Sequence, residues 1–210
     1  MSSLIHLLTN PQTLIASFGL IGVIAIVFME TGCFFGFFFP GDSLLFTAGL
    51  LVSQGLLGGS PVSGVAWLFL GSFVAAVAGD SVGYAFGRRV GPALFTKDDS
   101  FFFNKKHIAK AQHFYEKYGT KTIVLARFVP IVRTFAPIVA GIGNMPYSKF
   151  FSWNVLGGFL WTALVIGLGF GFGKAIPHPD DYLLPAVAVI VVISILPALR
   201  EIMLSRRAGK

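Results

Sequence analysis

The chain has 210 residues, of which 55% are hydrophobic and only 12% charged, with a mean hydropathy of +0.78. Soluble domains carry about twice that share of charge, so the composition excludes an ordinary soluble domain and predicts one all-α integral membrane domain over residues 1–210. A net charge of +7 would suit nucleic acid. The basic residues flank apolar segments, however, so membrane topology explains them better and no nucleic-acid partner is expected. The single cysteine, Cys33, excludes an internal disulfide, and no His/Cys cluster has zinc spacing.

In chain order, residues 13–29 form the first candidate span. No Lys or Arg precedes this run and no small-residue cleavage site follows closely, so it is expected to stay as a membrane helix. It ends at Glu30. The stretch 34–57 contains Pro40 and Asp42, and its apolar pieces are each too short to cross a bilayer, which takes about 20 residues. It reads as a re-entrant hairpin. Residues 62–86 are long enough to span, with Asp80 inside. Gly79, Gly83 and Gly87 recur every four residues there and predict a face for close helix packing.

Residues 88–121 hold eight Lys/Arg against three acids, and an amphipathic helix from Asn104 to about Tyr118 would lie on the membrane surface, His107 and His113 being solvated. Residues 122–143 include "ARFVPIVRTFAPIVAG", an apolar run interrupted by Arg127, Pro130, Arg133 and Pro137. Broken backbone at membrane depth is tolerated where it lines a cavity or is buried in protein, so this run reads as a second re-entrant hairpin. Residues 150–173 span without a charge, and 182–199 form a last span. Gly167, Gly169, Gly171 and Gly173 superficially match a dinucleotide fingerprint, but no strand precedes them and packing is the expected role. Trp153, beside Lys149, fits an interfacial anchor, and Asn154 could hydrogen-bond a hairpin backbone group.

The positive-inside rule orients these segments. The 88–121 segment and the tail 200–210, with four Lys/Arg against one acid, belong in the cytoplasm, and the link 174–181 with Asp180 and Asp181 belongs outside. Four crossings result, with two re-entrant hairpins entering from opposite sides and both termini cytoplasmic. "FTAG" at 46–49 and "IVAG" at 138–141 each close a Pro-interrupted apolar piece and precede a full span. That pattern is the mark of an inverted-topology repeat with its site where the broken pieces meet.

The intramembrane charges are Glu30, Asp42 and Asp80 against Arg127 and Arg133. An Arg at the bilayer centre costs about 2.5–3.5 kcal/mol on insertion scales, so both arginines need partners, water or a ligand. One use is structural, an ion pair that fastens the hairpins together or a side chain that snorkels to the interface. The other is an anion site, since the guanidinium fork binds phosphate bidentately and keeps its charge. Arg127 and Arg133 are six residues apart, on opposite faces of a regular helix, and a break at Pro130 would turn both toward one cavity. Glu30 and Asp42 would pair with them in the empty state or take up protons. Asp80, Asn154, Pro40, Pro130 and Pro137 are supporting candidates, and Asp80 is balanced between a structural and a functional role.

The motifs "ETG…FFPGDSLLFTAG" (30–49), "GDSVGYAFGRRVG" (79–91), "FYEKYGTKTIVLARFVPIVRTFAPIVAG" (114–141) and "WNVLGGFLW" (153–161) occur in this order and spacing over nearly the whole chain. In them the sequence resembles the DedA family, also called the SNARE-associated Golgi or VTT-domain family. The resemblance implies a multi-pass protein of the bacterial cytoplasmic membrane with two inverted re-entrant hairpins. It further implies a flippase role in recycling undecaprenyl phosphate and proton-motive-force dependence. The family's two acids and two arginines fall on Glu30, Asp42, Arg127 and Arg133. The expected partner is a polyprenyl phosphate within the bilayer, with a homo-oligomer left open and no cofactor. A proton-dependent exporter of small molecules or cations and a general phospholipid scramblase are the alternatives. A membrane phosphatase would want histidine among basic residues, and His6, His107, His113 and His178 all lie outside the apolar segments, so an enzyme is not expected.

Overall fold

The computed structural model describes residues 11–32, 41–94 and 119–175, and every regular element among them is a helix. They are α1 (Pro11–Gly32), α2 (Gly41–Ser53), α3 (Pro61–Leu94), α4 (Thr122–Ala126), α5 (Pro130–Ile142) and α6 (Tyr147–Ala175). The expected surface helix from Asn104, the last span 182–199, the tail 200–210 and Pro40 lie outside the described residues. The described residues form two compact units, one from 11–24, 41–70 and 163–175, the other from 25–32, 71–94 and 119–162.

Among the described residues two helices are long and apolar enough to cross a bilayer, Pro61–Val90 within α3 and the whole of α6. They contain the expected spans 62–86 and 150–173. At about 1.5 Å per residue each exceeds the roughly 30 Å hydrocarbon thickness. Their faces are inverted relative to a soluble protein. Ser72, Asp80, Asn154 and Thr162 are buried, while Trp67, Leu70, Val74, Leu160, Leu164 and Leu168 are exposed. An outward apolar face on a long helix matches a hydrocarbon surrounding.

The remaining elements differ from the simplest sequence expectation in three places. The first span is interrupted at Gly19, whose φ of 59° and ψ of −152° lie in a region open essentially to glycine. Past the kink the apolar helix is only Gly19–Gly32, short of a full span. α3 continues to Leu94, into the beginning of the expected 88–121 cytoplasmic segment. Pro137 does not break its helix. α5 runs through it from Pro130 to Ile142, and the one interruption of the 122–143 run is at 127–129.

That interruption has a local cause. Arg127, Phe128 and Val129 each donate to the carbonyl three residues back, a tightened last turn of α4. Val129 then takes an extended conformation (φ −113°, ψ 107°), as the residue before a proline is sterically driven to do. Pro130, whose fixed φ suits a first helical position, restarts the helix as α5. Just past the end of α5, Asn144 takes the left-handed region (φ 52°), with Gly143 donating to the Val139 carbonyl and Met145 to the Ala140 carbonyl.

In the first unit α2 packs against the later part of α6. Leu44, Leu45, Leu50, Leu68 and Ile166 are buried there, and the Phe46 and Phe172 rings lie 5.8 Å apart. Gly169 allows the approach, since a Cβ on it would run into the Phe46 carbonyl. Gly173 meets α2 likewise, while Gly167 and Gly171 have nothing beside them among the described residues. α3 starts with Ser60 as cap, its Oγ accepting from the Ser63 amide at 3.3 Å, and Pro61 follows.

In the second unit α5 lies against α3 along the expected glycine face. Gly79 receives Thr31 of α1, Gly83 receives Pro137, Gly87 receives the Ile138 backbone, and Gly141 of α5 receives the Tyr84 carbonyl. Beside this contact Tyr84, Ile123, Ala140, Met145 and Phe150 form a core with Trp153 packed on it. Tyr84 stacks on Phe150 (4.6 Å between centroids) and its hydroxyl donates to the Met145 carbonyl. Trp153 is therefore a half-buried packing residue as well as a neighbour of Lys149.

Candidate functional site

The second unit gathers four charged side chains from four elements. The break at 127–129 places Arg127 at the end of α4 and Arg133 in the first turn of α5. Glu30 comes from the end of α1 and Asp80 from the middle of α3. Relative exposures are 3% for Arg127, 9% for Arg133, 2% for Glu30 and 5% for Asp80, so all four charges are withdrawn from solvent.

They are arranged as two ion pairs. Arg127 donates through Nη2 to Asp80 Oδ2. The same nitrogen reaches Asn154 Oδ1 and, at 3.3 Å, the Ala76 carbonyl. Asn154, fully buried in α6, donates through Nδ2 to the Val77 carbonyl at 3.0 Å, which orients its oxygen toward the arginine. Its backbone partner is thus on α3, not on the hairpin. Arg133 donates through Nη2 to Glu30 Oε1. Its guanidinium carbon lies 5.1 Å from the centre of the Trp161 ring, a cation–π contact.

Thr31, Thr134 and Trp161 complete with these four charges the wall of one small cavity, with room for about one water molecule. The formal charges of the lining cancel. Two guanidiniums are here each held by a carboxylate of the same unit. Burial of charge is costly unless it is paired, and the pairing supplies the partners that the sequence required of both arginines.

Residues 39–171 match the VTT domain family. Protein DedA of Escherichia coli (strain K12) is 43% identical over 210 residues, covering 98% of this chain and 93% of the relative. The chain belongs to the DedA family. Other relatives are an uncharacterised membrane protein of Mycobacterium tuberculosis, 45% identical over 180 residues (85% of this chain, 76% of the relative), and one of Mycobacterium leprae, 40% identical over 191 residues (90% and 82%). No solved structure matches. In this DedA-family protein the structure brings together Glu30, Asp80, Arg127 and Arg133 with Asn154. Asp42, half-buried in the first turn of α2, belongs to the other unit. Pro130 sets the break between the arginines, and Pro137 packs toward Gly83.

Thr31, Thr134 and Trp161 are lining residues that the sequence reading does not assign, and Asp80, a supporting candidate there, is not matched to Arg127. The signal for Trp161 was periodicity, since Asn154, Gly158 and Trp161 are spaced i, i+4, i+7 on one helix face.

Proposed function

We propose that this DedA-family membrane protein is a lipid transporter that carries a phosphate head group across the cytoplasmic membrane, with undecaprenyl phosphate as its cargo. The observation that carries this reading is the pairing of two buried arginines with two buried acids around one cavity. An arginine in an apolar surrounding binds a phosphate strongly once its carboxylate lets go. The cavity as it stands is too small for a phosphate, so loading requires the pairs to open. Arg127 and Arg133 take the phosphate oxygens, and Glu30 and Asp80 take back the arginines after release.

A proton supplies the trigger. A carboxyl that takes up a proton loses its hold on the neighbouring guanidinium and frees it for the cargo, which couples transport to the proton gradient. Glu30 is assigned this role from its pairing with Arg133. Asp42 is assigned to coupling on the family resemblance. In the same reading α2 belongs to a hairpin dipping from outside and α4–α5 to one dipping from the cytoplasm, with both termini cytoplasmic. No enzymatic step is required.

The test is reconstitution in liposomes and measurement of undecaprenyl phosphate translocation against phospholipid, with and without a pH gradient. The expected result is undecaprenyl phosphate movement that Arg127→Ala and Arg133→Ala abolish. Equal movement of phospholipid would make the protein a general scramblase. Gradient-driven movement of a small cation with no lipid movement would make it an exporter. Equal rates for wild type and both variants would sink the phosphate-clamp reading.

A further inference from the structure

The charged residues of the second unit sort by burial. Among its described residues the two acids, Glu30 and Asp80, are buried in the ion pairs with Arg127 and Arg133. The charges left, Arg88, Arg89, Lys121 and Lys149, are all basic and all exposed. They gather at one end of the unit. Arg88 and Arg89 close the span Pro61–Val90, and Lys149 lies in the first turn of the span Tyr147–Ala175. The Tyr84–Phe150 stack joins those two ends, and Ile123, two residues after Lys121, belongs to the same core. Basic side chains at a bilayer boundary attract anionic lipid.

One of these side chains is held in place. Arg88 donates through Nη1 to the Tyr84 hydroxyl at 3.4 Å, and that hydroxyl gives its own proton to the Met145 carbonyl. Tyr84 is buried, so one corner of the Arg88 guanidinium is anchored while the residue as a whole is exposed. A planar fork already anchored at one nitrogen loses less freedom when it binds a phosphate. The other border of Tyr84 is an aromatic patch. The Tyr147 ring lies 5.4 Å from that of Tyr84 and 5.7 Å from that of Phe151, and Tyr147 and Phe151 are both exposed. The Tyr147 hydroxyl is 3.4 Å from Ser81 Oγ, which sets the ring against α3. Rings with an apolar body suit the head-group level of a bilayer. Charge alone is enough to orient a chain in a membrane, and does not call for an arginine tied to a buried tyrosine beside two exposed rings.

We infer that this end of the second unit binds an anionic phospholipid, its phosphate accepting from Arg88 and its body lying against the exposed Tyr147 and Phe151 rings. Arg89, Lys121 and Lys149 add positive field around the head group without being required to touch it. A zwitterionic lipid offers the same phosphate and chains but brings its own cation toward these basic residues, so the surface discriminates by net charge. The site is separate from the paired charges around Glu30 and Asp80 and does not depend on the transport reading. Arg127 and Arg133 are each held by an acid, whereas Arg88 has no acid beside it among the described residues.

The test uses the full-length protein in detergent at physiological salt, with thermal melting read against increasing dioctanoyl phosphatidylglycerol or dioctanoyl phosphatidylcholine. Wild type should be stabilised by the phosphatidylglycerol and not by the phosphatidylcholine. Arg88→Gln should weaken phosphatidylglycerol binding roughly tenfold or more, the worth of a hydrogen bond to a charged group. Arg89→Gln removes the same charge one residue on, at about 100° around the helix. It should weaken binding by no more than about twofold, since exposed charges that make no contact are largely screened at that salt. Phe151→Ala should weaken binding several-fold through the lost ring surface. All three side chains are exposed, so the ligand-free melting temperatures should stay close to that of wild type. Equal stabilisation by both lipids would overturn the inference, because the protein would then be reading apolar chains alone. Equal losses in Arg88→Gln and Arg89→Gln would overturn it too, leaving a diffuse effect of charge. So would wild-type affinity in Arg88→Gln or in Phe151→Ala, which would put the lipid elsewhere on the protein.

Discussion

Arg127, at the end of a five-residue helix, and Asp80, inside the long helix α3, form an ion pair almost wholly withdrawn from solvent. The residue that the sequence left balanced between two roles is thus the partner of one of its two arginines.

Removing one side of this pair should be worse than removing both. Asp80→Ala leaves a buried guanidinium without its charge partner, and loss of one partner of a buried pair costs about 3–5 kcal/mol. Asp80→Ala/Arg127→Ala should melt above Asp80→Ala in detergent while remaining inactive in liposomes. A double variant that melts below Asp80→Ala would contradict the pairing.

Trp161 should matter through its ring. Arg133 lies over it, and a desolvated cation–π contact is worth about 2 kcal/mol. Trp161→Leu should therefore reduce transport markedly, and Trp161→Phe should retain much of it. Equal loss in both variants would point to volume instead of ring electrostatics.

Glu30→Gln fixes the neutral form of the side chain that holds Arg133. On the coupling reading, transport in this variant loses its dependence on the pH gradient, whereas wild type requires it. Initial rates in liposomes with imposed gradients decide the matter. An unchanged gradient dependence would remove Glu30 from coupling.

Close approach of α5 to α3 depends on Gly141, where a Cβ would run into the Tyr84 carbonyl. Gly141→Ala should cost about 1–3 kcal/mol, the range for overpacking, whereas Gly171→Ala, with no described residue beside it, should not lower the melting temperature in detergent and should raise it slightly, by the roughly 0.5–1 kcal/mol that alanine gains over glycine in a helix.

Much of this was legible because hydrocarbon makes charge conspicuous. Charges in apolar runs had to be paired, and Arg127 pairs with Asp80 and Arg133 with Glu30. The break between the arginines was legible from Pro130, whose effect on Val129 is local and steric. Pro137 carries the same local signal, yet packing against α3 at Gly83 accompanies an unbroken helix there. Gly19 was passed over because a lone glycine in an apolar run usually continues the helix. Which acid meets which arginine depends on how α1, α3, α4 and α5 pack, and spacing along the chain does not encode that. Thus the sequence does not show that Asp80 is the acid on Arg127.

The cancelling charges around the cavity have an electrical consequence. Two arginines and two acids sum to zero, so a cargo with one net negative charge that enters with one proton leaves the sum at zero. Such a cycle carries no current. Transport by this protein should then respond to the chemical half of the proton-motive force and be indifferent to its voltage, so that clamping the membrane potential with potassium and valinomycin leaves the rate unchanged while nigericin collapses it.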